Sequence, residues 1–202
     1  MNACCDVVLF DLGGVLVELV GVPRMLEWTG GRMSEEELWR RWTHSPAVER
    51  FETDRVPPRE FAQELMAEFG IGVSVEQFLG EFSVWPRGPF VGAAKLLEEL
   101  AGRVRLACLS NISRMHWERF SAEMGLARYF SERFASFMTG LMKPQPQAYR
   151  NAIERLGVSP QRILFLDDNR INVVAAAQAG INAHVARSPD EARAILASEG
   201  VL

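Results

Sequence analysis

Apolar residues along this chain follow two rhythms. Short β-branched and aromatic runs, Val7-Val8-Leu9-Phe10, Val104 to Leu109, Phe134 to Met138, Arg162 to Leu166 and His184-Val185-Ala186, read as strands. From Pro89 onward these alternate with segments of helical period. Ala93, Leu96, Leu97 and Leu100 precede a stop at Gly102, and Ser113 to Met124 precede Gly125. Tyr149, Ile153 and Leu156 share a face between Pro146 and Gly157, Val173 to Ala179 lead to Gly180, and Ser188-Pro189-Asp190-Glu191 starts a last helix. Strand alternating with helix predicts an α/β fold: a Rossmann-like parallel sheet core covered by helices.

Residues 16–87 break this rhythm. Their period is helical, with start signals at Ser34-x-x-Glu37, Ser74-x-x-Gln77 and Pro57-Pro58, a stop at Gly70, and an interruption at Trp85-Pro86-Arg87-Gly88-Pro89. Leu38, Trp39 and Trp42 mark one helix face, and Trp28, Phe51, Phe78, Leu79 and Phe82 add apolar bulk for a core. The pattern predicts a small α-helical cap subdomain of three or four helices, residues 16–87, inserted into a core made of residues 1–15 and 88–202.

The 202 residues are 48% hydrophobic and 24% charged, an ordinary globular balance, and the formal net charge of −4 offers no basic surface for nucleic acid. Three cysteines, Cys4, Cys5 and Cys108, are an odd number without C-x-x-C spacing, which fits small buried side chains in a reducing cytoplasm. No apolar run approaches the roughly 20 residues of a membrane span, and the start lacks a signal-peptide pattern. The expectation is a cytoplasmic monomer or homodimer without a membrane partner.

Three of the predicted strands end in polar groups: Asp11, then Ser110-Asn111, then Asp167-Asp168. The C-terminal ends of parallel strands lie on one side of a sheet, so these groups can share one pocket. Carboxylates with open coordination positions suit a hard cation such as Mg2+, which takes a further oxygen from a substrate phosphate. Ser110 adds a hydroxyl and Lys143 a positive charge. Together they describe a phosphoryl site.

In order, Phe10-Asp11-Leu12-Gly13-Gly14-Val15, Leu109-Ser110-Asn111, Lys143-Pro144 and Phe165-Leu166-Asp167-Asp168-Asn169 resemble the four motifs of the haloacid dehalogenase-like hydrolase superfamily, small helical-cap type. Asp-Leu-Gly-x-Val and Asp-Asp-Asn are most similar to a bacterial subgroup acting on glucose 1-phosphate. The resemblance implies a Mg2+-dependent phosphatase of a small phosphorylated metabolite such as a sugar phosphate, with no nucleic acid and no membrane partner. Asp11 would be the nucleophile that forms an aspartyl-phosphate, with Lys143 offsetting its charge. Ser110 and the backbone N–H of Asn111 would hold phosphoryl oxygens. Asp11, Asp168 and the Gly13 carbonyl would hold Mg2+, with Asp167 a second ligand or an orienting partner.

Gly13 is a departure. Most phosphatases of the superfamily carry an acid/base Asp there, a group worth roughly 100-fold to 10,000-fold. His116 is a stand-in by position, although the start of a helix also suits a solvated histidine. Within the cap, His44, Arg50, Arg55 and Trp42 are candidates to face a substrate. Two other readings stay open: a metal-independent 2-haloacid dehalogenase, and a catalytically silent binding domain of the same fold.

Overall fold

A computed structural model describes residues 5–202, so Cys4 lies outside it. The core is a five-stranded sheet in the order β5 (Glu132–Ala135), β4 (Arg105–Ser110), β1 (Val7–Phe10), β6 (Ile163–Asp167), β7 (Asn182–Val185). Every pairing is parallel. Because β1 sits between β4 and β6, the chain leaves its end toward two opposite halves of the sheet, which opens a crevice there.

Alternation along β1 divides the core. Val8 and Phe10 face one side with Leu97, Phe120, Phe130 and Leu196, while Val7 and Leu9 face the other with Tyr149, Ala152, Phe165 and Ala176. The first side is covered by α6 (Ala93–Leu100), α7 (Arg114–Glu118) and α11 (Pro189–Ser198), the second by α9 (Pro146–Leu156) and α10 (Arg170–Gln178). Cys5 and Cys108 are buried, and burial pushes the Cys108 thiol up to about 12, as expected of inert side chains.

Between β1 and β4 the chain forms β2 (Val17–Leu19), then α1 (Gly21–Trp28), α2 (Glu35–His44), α3 (Pro46–Glu52), α4 (Pro58–Phe69) and α5 (Val75–Phe82), then β3 (Pro86–Pro89). The five helices share their own apolar cluster, in which Phe51 stacks on Phe61 at 4.0 Å and Phe78 on Phe82 at 5.6 Å. The capping signals act as read: Ser34, Ser74 and Ser188 accept from the backbone N–H of Glu37, Gln77 and Glu191.

Three expectations need correction. The inserted stretch holds five helices, not three or four, because α1 lacks a side-chain cap and α3 starts at Ser45-Pro46, which in sequence reads as a break after α2. Pro86–Pro89 is not a plain interruption: it pairs antiparallel with β2 as a two-stranded ribbon, where proline is tolerated because no third strand needs its donor. The strand expected over Phe134 to Met138 is Glu132–Ala135, after which α8 (Ser136–Thr139) begins. The Ser136 hydroxyl, accepting from the Ile112 N–H at 2.9 Å, fixes that turn, and Met138 is left exposed.

Candidate active site

The end of β1 sets the floor of the crevice. Its ladder extends through the Asp11 N–H, which donates to the Leu166 carbonyl at 2.8 Å, and the Asp11 Oδ1 accepts from the Leu12 N–H at 2.7 Å. The carboxylate is therefore aimed before any ligand arrives. Gly14 follows at φ +72°, where a Cβ would lie 2.2 Å from the Asp168 Oδ2. Only glycine meets both demands: a left-handed backbone and room for the second carboxylate.

Lys143 ties the carboxylates together. Its Nζ lies 2.9 Å from the Asp11 Oδ2 and 2.6 Å from the Asp167 Oδ2, with the side chain almost wholly buried. The backbone carrying it is clamped by Asn111, whose Nδ2 donates to the Lys143 carbonyl at 2.8 Å while its Oδ1 accepts from the Lys143 N–H at 2.8 Å. The Lys143–Pro144 peptide is cis. The end of β4 thus positions the lysine, and the Asn111 side chain is committed to that task.

Asp167 and Asp168 differ in environment. Asp167 is fully buried and accepts from the Asn169 N–H at 2.8 Å and from the Asn172 Nδ2 at 3.0 and 3.1 Å. Asp168 is half-buried and borders the cavity. Asp11, Asp167 and Asp168 each offer an oxygen, all within 4.8 Å of one another. Burial raises the Asp11 and Asp168 carboxyls above the ordinary range. Lys143 opposes this in both, and the Asp167 charge adds to it. For Lys143 burial works against the charge, but Asp11 and Asp167 outweigh it and hold the ammonium protonated. Three carboxylates and one ammonium leave two excess negative charges once ionised, the deficit a divalent cation would fill.

Above this floor lies a cavity of about 650 Å3. Asp11, Gly13, Ser110, Asn111, Lys143 and Asp168 border it from the core, while Trp39, Arg40, Trp42, His44 and Glu52 border it from the helical insertion. The fold therefore brings together the expected residues; Asp167 does not border the cavity but joins Asp11 through Lys143.

The sequence matches the model of the haloacid dehalogenase-like hydrolases over residues 5–180. The chain belongs to this family. Among its relatives is the phosphorylated carbohydrates phosphatase of Thermotoga maritima, 25% identical over 97% of this chain and 92% of that protein. The (S)-2-haloacid dehalogenase of Xanthobacter autotrophicus is 36% identical over 52% of this chain and 42% of that enzyme. A haloacid dehalogenase-family enzyme of Bacteroides thetaiotaomicron, solved in complex with magnesium and inorganic phosphate, superposes with a TM-score of 0.72 at 23% identity, covering 90% of this chain and 93% of that one. That last likeness is one of fold.

Within this hydrolase the secondary candidates sort cleanly. His44 and Trp42 border the cavity; Arg50 does not, being paired with Glu64 and, at 3.5 Å, with Glu60, and Arg55 lies 3.7 Å from Glu49. His116 is half-buried and borders the cavity, but it is not free to move a proton through Nε2. Its Nε2 donates to the Phe82 carbonyl at 2.9 Å, its ring packs 4.4 Å from Phe82, and burial pushes its pKa down to about 4. Sequence reasoning passed over Glu52 and Asn172. Each carried a signal: Glu52 follows Val48 by four positions, on the edge of the buried face of α3, and Asn172 follows Asp167 by five, in the first turn of α10. Among the described residues no helix is long and apolar enough to cross a membrane.

Proposed function

We propose that this hydrolase is a Mg2+-dependent phosphomonoesterase that acts on a small phosphorylated metabolite through an aspartyl-phosphate. The observation that carries the reading is the contact of Lys143 with Asp11 and Asp167, beside Asp168. Asp11 would attack phosphorus, and Lys143 would offset the charge shared by Asp11 and the transferring group. The Ser110 hydroxyl and the Asn111 N–H would hold phosphoryl oxygens, a task consistent with an Asn111 side chain already spent on Lys143.

The donor set fits Mg2+: all oxygen, anionic and two charges in excess. Asp11, Asp168 and the Gly13 carbonyl would hold the ion, with Asp167 an orienting partner. When bound, it supplies charge neutralisation for the phosphoryl group. The same excess of charge counts against metal-free dehalogenation, which would leave Asp168 uncompensated next to the nucleophile.

Residues 16–87 would serve as the cap over residues 1–15 and 88–202. Trp39, Trp42, His44 and Arg40 give the cavity aromatic faces and polar tips suited to a sugar ring, which supports a sugar phosphate as substrate. Purified protein is expected to release phosphate from an aryl phosphate and from hexose phosphates in Mg2+, and Asp11→Asn to abolish both. Release that survives Asp11→Asn, or that persists in excess chelator, would overturn the nucleophile or the metal respectively.

A further inference from the structure

The site described so far has no proton donor for a leaving alkoxide. Gly13 has no side chain, and His116 is engaged at Nε2 with the Phe82 carbonyl. Two carboxyls that border the cavity remain without a task, Glu36 and Glu52. Glu52 ends α3 and borders the same cavity as Asp11, Ser110 and Lys143.

We propose that Glu52 is the general acid and base of this phosphatase, supplied from the helical insertion in place of the group missing at Gly13. The inference rests on the phosphomonoesterase reading above. Three features of the geometry set Glu52 apart. It makes no hydrogen bond or ion pair among the described residues. By contrast, Glu27, Glu37, Glu49, Glu60, Glu64, Glu76 and Glu81 of the same insertion each face an arginine. It lies close enough to Lys143 and Asp11 to feel both charges. Finally, it borders the same cavity as Asp11, Ser110 and Lys143 while coming from the helical insertion. Glu36 also borders the cavity, but it is an exposed residue in the first turn of α2.

Its protonation state suits the first step. Burial pushes the Glu52 carboxyl up to about 8; Lys143 opposes this and Asp11 reinforces it, so the group carries a proton at neutral pH. As an Asp11 oxygen bonds to phosphorus and the phosphorus–ester oxygen bond breaks, the carboxylic proton passes to the departing oxygen and the product leaves as a neutral alcohol. Glu52, now a carboxylate, takes a proton from water as the water oxygen attacks phosphorus. The Asp11 carboxylate is released, inorganic phosphate forms and Glu52 is again protonated.

The test uses the dependence on leaving group. An alkyl phosphate needs the proton, whereas a nitrophenyl phosphate leaves as a stable anion without it. Glu52→Gln is expected to lower kcat/KM for an alkyl phosphate by roughly 100-fold to 10,000-fold while leaving that for the nitrophenyl ester within about 3-fold. Glu52→Asp, a shorter acid, is expected to recover part of the alkyl-phosphate rate. An equal loss on both substrates, the mark of a structural or binding role, overturns the proposal, as does no loss on either. Should Glu52→Gln not fold, the wild-type enzyme decides across a series of aryl phosphates: kcat/KM should fall only shallowly with rising leaving-group pKa, and a steep fall overturns the assignment. Failure of the wild-type enzyme to hydrolyse either ester in Mg2+ would instead refute the phosphatase reading.

Discussion

His116 makes the stability of this enzyme depend on pH in a way that can be calculated. The imidazole is held neutral by burial, against the pull of its bond to the Phe82 carbonyl and with help from Arg119, so its pKa falls from 6.5 to about 4. The unfolded chain binds a proton near pH 6.5, whereas the folded chain refuses it until about 4. The stabilisation is therefore complete above pH 6.5, declines through the window between these values and is gone below it. At pH 5 the two pKa values correspond to a loss of about 2 kcal/mol. The ring is only half-buried at the cavity wall, and solvent screening reduces the figure to about 1 kcal/mol. Urea unfolding followed by tryptophan fluorescence at pH 7.5 and pH 5 measures this, with His116→Gln as the reference because glutamine does not titrate. Asp11, Glu52 and Asp168 titrate in both proteins and cancel in the difference. Wild type should lose about 1 kcal/mol more than the variant. Equal losses would show that His116 is no more shielded in the folded state than in the unfolded one.

Two further substitutions probe the floor of the site. Gly14→Ala places a methyl 2.2 Å from the Asp168 Oδ2 at a left-handed φ, so it should cost about 1 to 2 kcal/mol of stability. It should also weaken Mg2+ binding about 10-fold or more by calorimetric titration; unchanged affinity would mean that Asp168 is not a ligand. Gly13→Asp meets the flexible tip of Leu19 at 2.9 Å, so paired with Leu19→Ala it should return at least about 10-fold of alkyl-phosphate activity to Glu52→Gln. No recovery would mean that the Gly13 position cannot present an acid to the leaving oxygen in this cavity.

The floor was legible because strand ends are legible. Val7 to Phe10 and Ile163 to Leu166 are apolar runs too short for anything but buried strands, and the carboxylates that follow them must then lie together. The roof was not. Residues of the insertion reach the cavity through packing of five helices, and that packing is set by contacts such as Phe51 on Phe61, which no spacing reveals. Trp39 shows the cost. Apolar periodicity marks it as core with Leu38, yet Leu38 is buried and Trp39 is 41% exposed at the cavity. Glu52 was passed over for the same reason, since a lone acid at a helix end looks like solvated surface until the cavity it borders is known.

The ribbon formed by Val17–Leu19 and Pro86–Pro89 gives the chain a kind of modularity. The strand leading out of the core and the strand leading back are hydrogen-bonded side by side, so the sheet meets everything between them as the tip of one hairpin. The entropy of closing such an excursion grows only with the logarithm of its length, about 0.6 kcal/mol per doubling. Evolution can therefore lengthen, shorten or replace the helices that form the roof at little expense to the folding of the sheet. The side chains that border the cavity from the insertion can change while the carboxylates at the strand ends stay where they are.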